Sequence, residues 1–213
     1  MLFQIISQKD SLRYYLLTLL FIYINASNSI TDIYFLVIYR YKDDVYDRIW
    51  LPYESSNDWA RLNTSLNNDD LVQDRYKPAA IVMSTAVTSL NASAPLQFHW
   101  DADNENDQYY SYLLFNEVEK LAENETRAFI ITVNRDLLYG PLIPKYQKVT
   151  TVYCRKPSTR AKRYQISLSK TENSTLPPIL NAFEIYKVKE FSRSETQQED
   201  GMLALNFLVS FAV

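Results

Sequence analysis

Residues 95–101 and 163–169 alternate apolar and polar side chains with a period of two, and that spacing constrains this chain more than any other feature. Leu96, Phe98 and Trp100 fall on one face and Gln97, His99 and Asp101 on the other; Tyr164, Ile166 and Leu168 are opposed in the same way to Arg163, Gln165 and Ser167. A helix would scatter these residues around its axis, whereas a strand sorts them into a core face and a solvent face. Residues 80–87, 108–115, 128–134, 149–154 and 179–188 are similarly rich in β-branched and aromatic residues. Short strands separated by polar or proline-containing loops predict an all-β sandwich or barrel. Residues 116–124 read either as a short helix or as a continuation of the preceding strand, and no internal repeat is visible.

Scarcity excludes several chemistries. With only two glycines, Gly140 and Gly201, no glycine-rich loop can cradle a phosphate. A single histidine, His99, and a single cysteine, Cys154, leave no multi-histidine zinc site, no intrachain disulfide and no cysteine-rich cluster, so no cofactor or metal is expected. Cys154 follows a strand-like run and reads as a small strand residue, inert and not catalytic. His99 lies on the polar face of its strand with no nucleophile motif nearby. Lys and Arg total 22 against 25 for Asp and Glu, a net charge of −3 with mixed signs, so nucleic acid is not an expected partner. At 213 residues and 47% hydrophobic content the chain can bury a full core, and a binding module is the expected class.

The compartment follows from other features. Asn25, Asn63, Asn91, Asn124 and Asn173 each open an N-x-[S/T] sequon without proline in the middle, which points to the secretory pathway and to glycans at Asn63, Asn91, Asn124 and Asn173. Lys9 and Arg13 precede an apolar run of 11 residues, 14–24, followed by small residues at 25–29. That arrangement reads as a signal peptide, or alternatively as the remnant of a strand. The run is shorter than the roughly 20 residues a transmembrane helix needs. Residues 202–213 form an apolar tail behind the polar spacer 192–200, and as a helix it would reach only about 18 Å. The expected organisation is therefore a leader-like segment over 1–29, a domain over 30–190, and a spacer with a short tail over 191–213.

Several colinear blocks carry a resemblance. Residues 39–50 (YRYKDDVYDRIW), 76–86 (YKPAAIVMSTA), 113–127 (LLFNEVEKLAENETR), 139–141 (YGP) and 174–186 (STLPPILNAFEIY) resemble the malectin-like domain of plant leucine-rich-repeat receptor-like kinases. The resemblance runs from about Tyr39 to Asp200 and matches the second of the two lobes usual in such ectodomains. It implies a β-sandwich of jelly-roll type, similar to the carbohydrate-binding protein malectin. It also implies display outside the cell on a single-pass receptor, and membrane association only through that context or the leader. The kinase of the family has no counterpart here, and an enzyme is not expected. Where the family often has Asn-Gly in a hairpin, this chain has Asn134-Arg135, which predicts a turn of another type.

A sugar presents a C–H face to aromatic rings and a rim of hydroxyls to carboxylates and amides. The densest stretch of that kind is 101–112, and it nominates Asp107, Gln108, Tyr109, Tyr110 and Tyr112 as ligand-binding residues at a concave mouth. The alternative is that alternate tyrosines pack the core beneath a solvated acidic loop. Asp43, Asp44 and Asp47 with Arg48 read as a salt-bridge cluster beside Trp50, or as a cation site. The basic run Arg155, Lys156, Arg160, Lys162 and Arg163 reads as a solvated loop, or as a contact for acidic wall polysaccharide. The function expected is recognition of a cell-wall glycan or glucose-containing oligosaccharide, with a protein, peptide or co-receptor lobe lacking sugar affinity as the alternative.

Overall fold

A computed structural model describes residues 2–7, 39–40, 44–46, 48–53, 58–65, 75–158 and 160–188. In chain order the elements are β1 (Leu2–Ser7), β2 (Tyr39–Arg40), β3 (Ile49–Tyr53), β4 (Trp59–Asn63), α1 (Ala80–Met83), β5 (Thr85–Ser89) and β6 (Leu96–Asp101). They continue with β7 (Tyr109–Phe115), β8 (Phe129–Val133), β9 (Asp136–Leu142), β10 (Thr150–Tyr153), β11 (Arg163–Lys170), β12 (Ile179–Leu180) and β13 (Ala182–Lys187). A six-stranded sheet runs β10-β7-β13-β1-β3-β2, a four-stranded sheet β6-β11-β8-β9 and a three-stranded sheet β12-β5-β4. Every pairing is antiparallel except β1 with β13. The all-β expectation holds.

The alternating strands do what their period demands. Leu96, Phe98, Ile166, Leu168, Phe129 and Ile131 from the four-stranded sheet meet Leu113, Phe115, Phe183 and Ile185 from the six-stranded one in the principal core. The rings of Phe98 and Phe183 stack with centroids 4.2 Å apart across the two layers. A second cluster forms on the other face of the six-stranded sheet, where Leu114 and Ala182, directly opposite each other, join Trp50, Ala80, Val82 and Met83. Nearly every residue of β7 and β13 between 113 and 185 is therefore buried on one face or the other.

Several expectations change. Residues 80–87 divide into α1 and the first part of β5, because a short run buried on all sides gives no periodicity to separate helix from strand. Residues 179–188 break at Asn181, whose buried amide accepts the Asn116 N–H at 2.7 Å and donates to the carbonyls of Met83 and Thr85. The turn at Asn134-Arg135 is the two-residue hairpin after all: both residues have positive φ, 49° and 76°, between the paired Val133 and Asp136. Residues 116–124 contain no helix, and β1 to β4 and β9 lie where no strand was expected, β1 within the segment expected to be leader-like. In β9 the cause is local: Gly140 and Pro141 erase the strand pattern, yet a Cβ on Gly140 (φ +145°) would come within 2.8 Å of the Ile130 Cα, so only glycine fits that approach. The apolar run 14–24 and residues 191–213 lie outside the described residues.

Candidate functional site

Strand β7 sorts the nominated tyrosines onto opposite faces. Tyr109 points inward and is 6% exposed, its ring 5.4 Å from Tyr164 and 6.1 Å from Trp100. Asp107 accepts from the Lys187 ammonium at 2.7 Å and from the Asn104 N–H at 2.9 Å, and Lys187 holds its carboxyl below the usual range. The Gln108 carbonyl accepts the Val188 N–H. Asp107, Gln108 and Tyr109 thus fasten the 102–108 loop to the ends of β7 and β13, and the Tyr109 ring lies in the core.

Tyr110 and Tyr112 point the other way, onto the outer face of the six-stranded sheet. Tyr112 stands opposite Tyr153 of β10, the two rings stacked with centroids 5.6 Å apart and planes at 22°. Tyr76 leans on both, 5.3 Å from Tyr112 and 6.0 Å from Tyr153, and Tyr186 meets Tyr112 edge-on at 5.5 Å. The Arg75 guanidinium lies 5.6 Å from the Tyr76 ring centre and donates to the Tyr153 hydroxyl at 3.3 Å. All of these tyrosines are half-buried, which leaves part of each ring open to a ligand. Tyr76, Tyr153 and Tyr186 escaped sequence reasoning because only the β10–β7–β13 register brings Tyr153 and Tyr186 to Tyr112, and only the packing of the segment before α1 adds Tyr76.

Beside these rings, on the same face of the sheet, runs a buried ionic network. Arg48 Nε donates to both carboxylate oxygens of Asp44 at 3.0 and 2.9 Å, Nη1 to Glu184 at 2.9 Å and Nη2 to the Lys77 carbonyl at 2.8 Å. Trp50 Nε1 donates to Asp44 at 2.7 Å, and the Arg48 guanidinium sits 5.0 Å from the Trp50 ring centre. Asp44 and Arg48 therefore form the ion-pair cluster expected beside Trp50, while Asp43 and Asp47 lie outside the described residues. Glu184 also accepts from the Tyr186 hydroxyl. Burial pushes the Glu184 carboxyl upward against the opposing pull of Arg48.

Burial likewise raises the phenols of Tyr109, Tyr112, Tyr164 and Tyr186 above their ordinary value of 10.0. The folded chain then keeps protons that the unfolded chain releases, so stability should be full below about pH 10 and decline as pH rises beyond it. Urea midpoints measured between about pH 9 and pH 11 are expected to fall steadily, and a flat profile would contradict the burial of these rings.

Other nominated residues find plain places. His99 is exposed opposite Gln165, and Cys154 is buried with its Sγ 3.1 Å from the Ser111 hydroxyl. Asn63, Asn91, Asn124 and Asn173 are all exposed; Asn25 is outside the described residues. The Asn124 and Asn173 sequons adjoin, with the Thr126 hydroxyl donating to the Asn173 carbonyl and the Thr175 hydroxyl to the Thr126 carbonyl. Among the described residues no helix is long and apolar enough to cross a membrane.

The family model described as "Malectin-like domain" matches residues 9–188. Among curated proteins, a probable LRR receptor-like serine/threonine-protein kinase of Arabidopsis thaliana is 37% identical over 173 residues, covering 81% of this chain and 19% of the relative. The probable LRR receptor-like serine/threonine-protein kinase PAM74 of the same plant is 39% identical over 175 residues, again covering 81% of this chain and 19% of the relative. The chain thus spans about a fifth of these relatives. Of solved structures, the ANX2 ectodomain from Arabidopsis thaliana superposes with a TM-score of 0.51 at 19% identity, over 68% of this chain and 45% of that one. A structure described as the plant peptide RALF23 in complex with FER and LLG2 superposes with a TM-score of 0.54 at 18% identity, over 70% of this chain and 45% of that one. At such identities the likeness is one of fold.

Proposed function

This chain belongs to the malectin-like family, and from that premise we propose that it is a non-catalytic, extracellular lobe of a plant receptor-like protein that binds a cell-wall or glucose-containing glycan on the tyrosine face of its six-stranded sheet. The observation that carries the reading is the convergence of Tyr76, Tyr112 and Tyr153, half-buried and within 6.0 Å of one another, with Arg75 at their margin. Rings held by their neighbours lose little freedom when a sugar packs on them, and the Arg75 N–H groups and the phenol hydroxyls supply hydrogen-bonding partners for its rim. The carboxylates nearest the face, Asp44 and Glu184, are buried and paired with Arg48, which suits a structural role and not acid–base chemistry.

The test is titration of the chain, made through a secretory route, with glucose disaccharides and pectin fragments while tryptophan fluorescence is followed. Tyr112→Ala is expected to weaken saturable sugar binding by about tenfold with little change in Tm. Tyr109→Ala is expected to lower Tm by roughly 5 °C or more through its core cavity. Loss of the cooperative melt in Tyr112→Ala would make that ring structural and remove it from the site. Extracellular passage is tested separately: peptide-N-glycosidase should release mass from Asn63, Asn91, Asn124 and Asn173, and a secreted product carrying none would refute glycosylation there.

A second reading, a peptide or co-receptor lobe without sugar affinity, is favoured by the superposed structure in which FER is described in complex with RALF23 and LLG2. A folded chain that ignores every sugar would transfer support to it.

A further inference from the structure

Between the start of β4, the end of β5 and the start of β6 lies a cleft of about 350 Å³ lined by Asp58, Trp59, Leu90, Asn91, Pro95 and Gln97. Part of its wall is a sequon. The Leu90 N–H donates to the Asp58 carbonyl at 2.8 Å, joining the two strand ends, and the Asn91 carbonyl accepts the Ala94 N–H at 2.9 Å. Asn91 Oδ1 accepts the Ser93 N–H at 3.0 Å. The loop thus holds the Asn91 side chain by its oxygen, while Nδ2, the atom that carries the sugar of an N-linked glycan, makes no hydrogen bond with any described residue. Beside it, Leu90 is 64% exposed and Trp59 is half-buried, so the cleft offers apolar and aromatic surface next to the attachment point.

The cleft leads onto the sheet. Gln97 also borders a hollow of about 540 Å³ on the outer face of the four-stranded sheet, lined with it by Thr132, Asn134, Arg135, Gln165 and Ser167. All of these side chains are amides, hydroxyls or a guanidinium. Gln97, Ser167 and Thr132 stand in one row across β6, β11 and β8. Gln97 Nε2 donates to Ser167 Oγ at 3.1 Å, whereas the Gln165 side chain and Asn134 Nδ2 make no hydrogen bond with any described residue. Three adjacent strands make that row about 10 Å wide, roughly the length of two linked pyranose rings.

We propose that this track seats the first two N-acetylglucosamine residues of a glycan carried by Asn91 itself. The first packs its C–H face on Trp59 and Leu90, and the second crosses Gln97 toward Ser167, Gln165 and Thr132, whose amides and hydroxyls meet its hydroxyls and acetamido group. The linkage forms from a lipid-linked sugar diphosphate: Nδ2 loses a proton and bonds the anomeric carbon, and the diphosphate leaves. Tethering selects this occupant over a free ligand, because attachment at the rim supplies an effective concentration on the order of millimolar or above and fills a surface too polar to hold an untethered sugar. Seating rests on the reading that Asn91 is glycosylated, and it is independent of sugar binding on the tyrosine face, which belongs to the other sheet.

The test uses the full 213-residue chain secreted from mammalian cells, with occupancy of Asn91 read by peptide mass spectrometry. Ser93→Ala removes the sequon yet keeps the backbone N–H that Asn91 accepts, so the loop survives. That variant is expected to lower Tm by about 3 °C or more. Replacing Gln97 and Gln165 together by alanine is expected to lower Tm by about 2 °C in the glycosylated parent and by roughly half of that or less in the Ser93→Ala background, where the amides have no glycan to hold. The same pair of substitutions is expected to speed peptide-N-glycosidase release from Asn91 of the folded chain by about threefold or more. An Asn91 that carries no glycan would remove the premise and the seat together. An Asn91 that is glycosylated, with Tm unmoved by Ser93→Ala or with the amide effect equal in both backgrounds, would leave glycosylation standing and overturn the seat alone.

Discussion

Replacing Arg48 by methionine is expected to cost about 3–5 kcal/mol and to lower Tm by roughly 10 °C, measured by urea and thermal melts at neutral pH. The side chain is almost fully buried and ties three separate parts of the chain together: Asp44 before β3, the Lys77 carbonyl before α1, and Glu184 in the middle of β13. Methionine would fill much of the volume but leave Asp44 and Glu184 without their buried cation, and those uncompensated charges dominate the loss. Burial already holds the Glu184 carboxyl above its ordinary value while Arg48 pulls it down, so the variant should raise it further. A group that binds its proton more tightly when folded stabilises the fold as pH falls, so the variant should regain part of its stability between neutral pH and about pH 4.5. Adding Glu184→Gln should likewise restore part of the loss at neutral pH; strict additivity of the two substitutions would show that the pair is not coupled.

Arg127→Met should be comparably damaging, by about 3–5 kcal/mol, for the same physical reason in a different place. Arg127 Nε donates to the buried Glu117 at 2.7 Å, Nη1 to the Pro177 carbonyl at 2.6 Å and Nη2 to Glu119 at 2.8 Å. Glu117 is as deeply buried as its partner, whereas Glu119 is largely open to solvent, so the Glu117 pair carries most of the effect. Arg127→Lys is expected to rescue little, since one ammonium cannot address three acceptors fixed in a fork. A lysine variant that melts within about a degree of the parent would show that charge alone suffices.

Much of the sandwich was legible because burial on one face writes itself into alternation. β6 and β11 are the plainest cases, and Leu96–Leu168 and Phe98–Ile166 prove to be directly opposed partners. What a single strand cannot reveal is who stands beside it. The spacing of Tyr109, Tyr110 and Tyr112 established two faces without saying which was inward, and Tyr76 and Tyr153 joined Tyr112 only through pairings distant in sequence. Residues 80–87 were ambiguous for a different reason, since burial on every side removes the contrast that periodicity needs. The turn at Asn134-Arg135 was misread because local preference argues against arginine at positive φ, and the hairpin overrides that preference.

Strand β13 has a consequence for how such a chain is made. It lies between β7 and β1, and Phe3 stands opposite Ala182, so the middle of the widest sheet is supplied by residues that leave the ribosome after nearly everything they hold together. At roughly 5–20 residues per second, β1 and β7 would wait many seconds with the edges that β13 covers bare. Those edges are templates for the wrong partner as much as for the right one. Substitutions that slow the arrival or docking of 182–187 should therefore show first as lost yield of folded protein, before any defect is measurable in the molecules that mature.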